Sequence, residues 1–149
     1  MNDRSAQDID LEVPELRQKL VDSARVAAQN AYVPYSHFPV GAAVLTGGGD
    51  IVCGANIENA SLGLTVCGER VAIQTAAAMG HRSILAIAVS APRAAETMPC
   101  GACRQVMNEF RPAQGELLVL IDCHDSITDV PLSELLPKSF GPRDLERAH

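Results

Sequence analysis

Two short stretches of this chain carry side chains that can do chemistry together: Thr65-Val66-Cys67-Gly68-Glu69-Arg70 and Pro99-Cys100-Gly101-Ala102-Cys103-Arg104. Cys100 and Cys103 have the Cys-x-x-Cys spacing of half a site for a soft cation such as zinc, and Cys67 supplies a third thiol. Structural zinc is closed by four protein ligands, whereas catalytic zinc keeps three and leaves a position for water. Glu69 lies too close to Cys67 in sequence to chelate comfortably from the same turn. It can instead project over an open position and carry a proton from water to a substrate nitrogen. Its plainer reading is a helix-start carboxylate that complements the dipole, worth about 0.3–1 kcal/mol. Three thiolates on a divalent ion leave a negative site. Arg70 and Arg104 are placed to offset that charge by hydrogen-bonding the sulfurs, or else are ordinary surface arginines.

The elements that must bring these stretches together can be read from the apolar pattern. A helix starts at Pro14, with Glu15 near its positive end, and Leu16, Leu20, Ala24, Ala27, Ala28 and Ala31 give it one apolar stripe that Pro34 ends. After a Tyr35-Ser36-His37-Phe38 loop, residues 40–46 and 51–57 read as a hairpin around the Gly47-Gly48-Gly49-Asp50 turn. The polar run Asn56-Ile57-Glu58-Asn59-Ala60-Ser61 follows. A helix over 66–79 is closed by Gly80 as a left-handed cap, and the apolar run 84–89 reads as a strand buried on both faces. Cys103, Val106, Met107 and Phe110 mark a further helix, broken at Pro112. Residues 117–121 and 127–130 read as strands, Leu132, Leu135 and Leu136 as a last helical turn, and 137–149 as a trailing segment. Both cysteine stretches thus sit where a loop enters a helix, where free N–H groups and the dipole favour thiolates. Helices alternating with buried strands imply an α/β fold, a three-layer α/β/α sandwich around a mixed sheet. Residues 1–12 are expected to be a mobile tail, 13–140 a single domain and 141–149 a C-terminal tail.

Composition narrows the partners. The 149 residues are 47% hydrophobic and 20% charged, which fits a compact domain, not a disordered chain. The net charge of −6 with scattered arginines disfavours nucleic acid and suits a small neutral substrate. Five cysteines without a signal peptide, and no apolar run long enough for a membrane span, are expected of a cytoplasmic protein.

Cys67-Gly68-Glu69-Arg70 with Pro99-Cys100-Gly101-Ala102-Cys103-Arg104-Gln105 resembles the zinc signature of the small cytidine deaminases, part of a general zinc-deaminase pattern. The resemblance extends to 34–43, to 56–61, and to Leu135-Leu136-Pro137 followed by Phe140, and so covers roughly residues 30–140. It implies the mixed five-stranded sheet of that family and one Zn2+ per chain on Cys67, Cys100 and Cys103. The activity implied is hydrolytic deamination of cytidine and deoxycytidine to uridine and deoxyuridine with release of ammonia, in pyrimidine salvage. Glu69 would accept a proton from the attacking water, pass it to N3 and later protonate the departing amine. Asn56 and Glu58 would grip the ribose hydroxyls and Phe38 would pack on the pyrimidine. The backbone around Ala60, Gly68 and Cys100 would read the base edge and amino group. Phe140 would reach into a neighbouring subunit's site, which implies a homotetramer. Taken alone, Asn56 and Glu58 read as a polar strand end and Phe38 as core packing. Two positions depart from the family: Gly68, where Ala is usual and which should make the helix start less rigid, and Leu62, where Tyr is common.

Other readings use the same residues differently. A structural zinc module would add Cys53 or a histidine as fourth ligand, but would leave Glu69, Asn56 and Glu58 without purpose. A thioredoxin-like role for Cys100 and Cys103 would make Cys67 and Glu69 incidental. Among enzymes, a deaminase for an aminonucleoside such as blasticidin S is the nearest alternative, against which Asn56, Glu58 and Phe140 count. RNA-editing deaminases are disfavoured by the acidic charge and by Cys at the first ligand position. Cys53 and Cys123 read as small buried residues, and His37, His81, His124 and His149 as surface or loop groups.

Overall fold

The computed structural model describes residues 8–146. Its elements are α1 (Pro14–Ala28), β1 (Gly41–Thr46), β2 (Ile51–Ala55), a 3-10 turn (Leu62–Leu64), α2 (Gly68–Ala78), β3 (Ile84–Ser90), α3 (Gly101–Glu109), β4 (Leu118–Asp122), β5 (Ile127–Pro131), α4 (Leu132–Leu135) and α5 (Pro142–Glu146). The five strands form one sheet in the order β2-β1-β3-β4-β5, with β3 and β4 parallel and every other pair antiparallel. The mixed sheet expected from the sequence is therefore present.

Alternation along the strands builds two cores. Ala43, Leu45, Ala86, Ala88 and Leu120 face Leu20, Val21 and Ala24 of α1. Ala42, Val44, Ile87, Val89, Val119 and Ile121 face the opposite way, onto Ala72, Ile73 and Ala76 of α2 and Cys103 and Met107 of α3. The result is three layers, with both cysteine-bearing helices on one face. Two glycines set how closely the helices lie. A Cβ on Gly41 would stand 2.0 Å from the Ala24 carbonyl oxygen, and one on Gly54 would stand 2.4 Å from the Ala72 nitrogen. Gly80 closes the α2 region at φ 101°, as its type predicts.

Three expectations change. The first helix ends at Ala28 rather than at Pro34, because the backbone is diverted into sheet-like pairing: Tyr32 N–H donates to Asn56 O, and Glu58 N–H donates to Tyr32 O. Of the N-terminal segment, residues 1–7 lie outside the described residues, while Ile9 and Leu11 pack partly buried against the α1 core. Of the segment expected to trail off after 137, residues 142–146 form α5, with Asp144 accepting the Gly141 N–H at 2.8 Å. Residues 147–149, including His149, lie outside the described residues. No described helix is long and apolar enough to cross a membrane.

An ion pair between a half-exposed Arg25 and a buried Asp122 ties the α1 layer to the sheet. Asp122, its side chain fully buried at the end of β4, accepts Arg25 Nε at 2.8 Å and Nη2 at 2.7 Å, Ser90 Oγ at 2.7 Å and the His124 N–H at 2.9 Å. The Arg25 bonds, followed by Ser90 and His124, outweigh burial and hold the Asp122 carboxyl down at about 2. In an unfolded chain it titrates near ~3.9. A depressed carboxyl stabilises the fold above the unfolded value and loses that contribution as pH falls through the folded one, here from about pH 4 to about pH 2. Urea unfolding should therefore show about 2 kcal/mol of stability lost to this group across that window. Asp122→Asn should remove that part of the pH slope and cost about 1.5–3 kcal/mol at pH 7, the range for hydrogen bonds to a charged group. An unaltered slope in the variant would refute the assignment.

Candidate metal centre

Cys67 is the N-cap of α2 and Cys100 the N-cap of α3, with Cys103 in the first turn of α3. The two helix starts converge as the sequence predicts. Cys67 Sγ lies 3.8 Å from Cys100 Sγ, and Cys100 Sγ lies 3.5 Å from Cys103 Sγ. All three sulfurs fall within 4.8 Å of one another. Zn–S bonds of about 2.3 Å in a tetrahedron put sulfurs about 3.8 Å apart, so the donor set fits zinc in spacing and in chemistry. Among the described residues this is the only such cluster, and neither Cys53 nor a histidine joins it. The closed, four-ligand reading therefore has no fourth ligand there.

The charge around the sulfurs is uneven. Hydrogen bonding from Cys103, then from Arg70 and Cys100, holds the Cys67 thiol well below its ordinary value against the upward push of burial. The Cys103 thiol is pushed up in turn by its bond to Cys67 and by burial. Arg70 Nη2 donates to Cys67 Sγ at 3.5 Å, while Arg70 Nε is buried without a hydrogen-bond partner. A cation held this way beside three sulfurs suits a site that carries excess negative charge, which zinc on three thiolates has. Arg104 behaves differently from its expected role. It reaches no sulfur; its Nε donates to Pro99 O at 2.7 Å and its Nη1 to Leu135 O at 2.9 Å. From the first turn of α3 the guanidinium points back along the chain that leads into the helix, so it fastens the ligand loop and leaves the charge to Arg70.

Glu69 is 4% exposed, in the first turn of α2. Burial, with the Cys67 charge adding to it, raises its carboxyl to about 6, although its own backbone N–H and Arg70 pull the other way. A carboxyl poised there can both accept and release a proton near neutral pH. Gly68 is not simply a looser helix start. A Cβ there would stand 2.8 Å from Val40 O and 3.3 Å from the Asn56 nitrogen, so α2 begins in close contact with the end of the hairpin.

Of the other expected site residues, Asn56 adjoins the start of α2. Asn56 Oδ1 accepts the Val40 N–H at 2.8 Å and its Nδ2 donates to Phe38 O at 2.9 Å. Glu58 Oε1 accepts the Tyr35 and Ser36 N–H groups at 3.2 and 3.1 Å. Despite some desolvation, these Ser36 and Tyr35 bonds hold the Glu58 carboxyl below its ordinary value. Both side chains thus brace the loop that carries Phe38, while one Asn56 amide hydrogen and Glu58 Oε2 have no partner among the described residues. Phe38 is half-buried and, like Cys67, packs against the α2–α3 core. Ala60 is exposed in the turn before the 3-10 segment. Phe140 is 61% exposed, yet its carbonyl is clamped by Gln105 Nε2 and Asn108 Nδ2, each at 2.9 Å.

Cys53 proves exposed rather than buried, because it sits on the edge strand β2; its Sγ lies 3.9 Å from Ser23 O. Cys123 is half-buried. Sequence reasoning missed the buried Asp122 and Asn108 and the surface Arg93. The one available signal was a polar residue closing the apolar run 117–121, or standing beside Met107 on the apolar face of α3.

Comparison with known proteins places this geometry. The model of the cytidine and deoxycytidylate deaminase zinc-binding region matches residues 14–117. The cytidine deaminase of Halalkalibacterium halodurans is 48% identical over 87% of this chain and 97% of its own length, and that of Sporosarcina psychrophila 43% identical over 88% and 96%. The crystal structure of cytidine deaminase from Burkholderia pseudomallei superposes with a TM-score of 0.76 at 40% identity, covering 83% of this chain and 98% of that one. Three thiols at two converging helix starts, a buried carboxyl beside them and these likenesses have one common source: the chain belongs to the zinc-binding cytidine and deoxycytidylate deaminase family.

Proposed function

We propose that this protein catalyses the hydrolytic deamination of cytidine and deoxycytidine, giving uridine and deoxyuridine with release of ammonia. The observation that carries the reading is the buried Glu69 beside a three-thiol cluster that has no fourth protein ligand among the described residues. Relatives named cytidine deaminase that match nearly end to end give it independent support. Cys67, Cys100 and Cys103 would hold the ion. Zinc bound there supplies Lewis acidity that makes water a nucleophile at neutral pH.

The chain's own residues account for the rest. Glu69 takes a proton from the attacking water and places it on N3 of the base, which draws electron density from C4. The water oxygen adds to C4, and Glu69 carries the remaining proton to the 4-amino nitrogen. The C4–N bond then breaks, ammonia leaves and the 4-oxo pyrimidine remains. One carboxyl serves as base and then acid, which its burial suits. Phe38 packs on the ring, the spare Asn56 hydrogen and Glu58 Oε2 grip the sugar hydroxyls, and backbone groups near Ala60, Gly68 and Cys100 read the base edge. Phe140 enters a neighbouring subunit's site in a homotetramer. That reading draws on its exposure on a clamped backbone, and on the exposure of Leu62 and Leu64. Free thiols and the absence of a membrane-spanning helix among the described residues agree with a cytoplasmic enzyme.

Three outcomes test this. Glu69→Gln should keep about one zinc per chain by metal analysis and lose about 10²–10⁴-fold in turnover of cytidine; full turnover would remove Glu69 from the reaction. Arg70→Ala should weaken zinc retention against a chelator by about 10–100-fold. Arg104→Ala should weaken it far less, and equal losses would show that Arg70 has no special hold on the sulfurs. Phe140→Ala should remain a tetramer by light scattering while the KM for cytidine rises several-fold, about what one lost aromatic contact implies. A fully active monomer of the unaltered chain would sink the shared-site assignment.

A further inference from the structure

Segment 91–98 joins β3 to the Cys100 turn and is held at Ala94 and at the residues that flank it. Just before it, Ser90 Oγ donates to the buried Asp122. In its middle, His124 Nε2 lies 2.6 Å from Ala94 O, and since a carbonyl only accepts, that ring nitrogen carries the hydrogen. His124 is itself held by its N–H to Asp122 and by Arg25 Nη2 to its carbonyl at 2.9 Å. Just beyond the segment, Arg104 Nε holds Pro99 O. From this fastened strip the Arg93 side chain crosses to the opposite loop, where its Nη1 donates to the carbonyl oxygen of His37.

His37 is an unusual place to anchor. Its φ is 56°, a left-handed conformation that a residue with a side chain adopts only when its surroundings over-determine it. The other bonds on this loop are its own turn bonds, His37 N–H to Val33 O at 3.0 Å and Phe38 N–H to Ser36 Oγ at 3.1 Å, and bonds from the hairpin side, through Glu58 to Tyr35 and Ser36 and through Asn56 to Phe38 O. Arg93 supplies the hold from the other side, one residue before Phe38. The strip that carries it leads directly into a metal ligand.

We propose that Arg93 is a positioning residue for the nucleoside site. It locks the left-handed His37 turn to the pinned segment 91–98, and so fixes the Phe38 ring relative to the Cys100 turn. This rests on Phe38 packing against the base, as proposed above. Arg93 is exposed and lies outside both apolar cores, so replacing it leaves the fold intact.

The test is steady-state kinetics on zinc-loaded enzyme for Arg93→Ala, Arg93→Lys, Phe38→Ala and the Arg93→Ala/Phe38→Ala double variant. Arg93→Ala should raise the KM for cytidine about 3–10-fold, the effect of one lost hydrogen bond that acts on binding. Turnover, zinc content and thermal midpoint should stay near their original values. Arg93→Lys, which keeps a cationic donor, should recover most of the KM. The double variant should be no worse than Phe38→Ala, because Arg93 acts through that ring. Wild-type kinetics in Arg93→Ala would overturn the proposal. Losses that multiply in the double variant would also overturn it, by showing that Arg93 meets the substrate itself, while leaving Phe38 in the site. A KM that rises in Arg93→Ala but not in Phe38→Ala would instead remove Phe38 from base binding, and this role of Arg93 with it.

Discussion

The constraint on which this structure depends is the gathering of three sulfurs and a carboxyl at the starts of two helices. Cys67 and Cys100 are brought within 3.8 Å only because α2 and α3 lie on one face of the sheet and begin at the same end. Helix N-termini suit the purpose, since their unpaired N–H groups and dipoles favour thiolates. Those dipoles do not balance the full charge, and the buried Glu69 adds to it. Among the described residues Arg70 is the one cation that hydrogen-bonds a sulfur, and its buried Nε, without a partner among them, fits a group placed for charge at the expense of hydrogen bonding. Because Glu69 is buried beside that charge, its proton is held more tightly than in water.

Around this frame the loops are fastened by side chains that donate to or accept from the backbone. Asn56 and Glu58 brace the Phe38 loop, Arg104 ties Pro99 to Leu135, and Gln105 with Asn108 clamps the Phe140 carbonyl. Such bonds fix where a loop runs while leaving its outward side chain free, which is what a site assembled from separate segments requires. Helix α3 illustrates the economy: its first turn supplies Cys103 and Arg104, and its later turns hold the segment that presents Phe140.

Much of this was legible in the sequence, and the physical reasons differ from one part to the next. Cys-x-x-Cys, the third Cys and the helix pattern after each are local features, so the three-thiol cluster could be read from them. The strand 84–89 showed itself as a continuous apolar run because it is covered on both faces. What failed depends on contacts distant in sequence. Alanines kept the helical period past Ala28, but nothing local revealed that Tyr32 would pair with the end of β2. Cys53 looked buried by residue type, and only the strand order put it on an edge. Arg104 was matched with Arg70 by symmetry of sequence, yet the loop carbonyls decided where it went.

Gly68 shows how closely the parts are coupled. Read locally, a glycine at a helix start adds backbone freedom. In the fold its missing side chain is what matters, since a methyl would press on Val40 O at 2.8 Å. That carbonyl already accepts the Asn56 N–H, and the Val40 N–H donates to Asn56 Oδ1. A methyl at 68 would therefore push either on the turn that holds Cys67 and Glu69 or on the Asn56–Val40 pair that carries the Phe38 loop. The contact is steric, and it joins the turn that holds Cys67 and Glu69 to the Val40–Asn56 end of the hairpin. Small residues at such a point set the distance between two functional parts as firmly as a hydrogen bond would, because close-packed atoms have nowhere to yield.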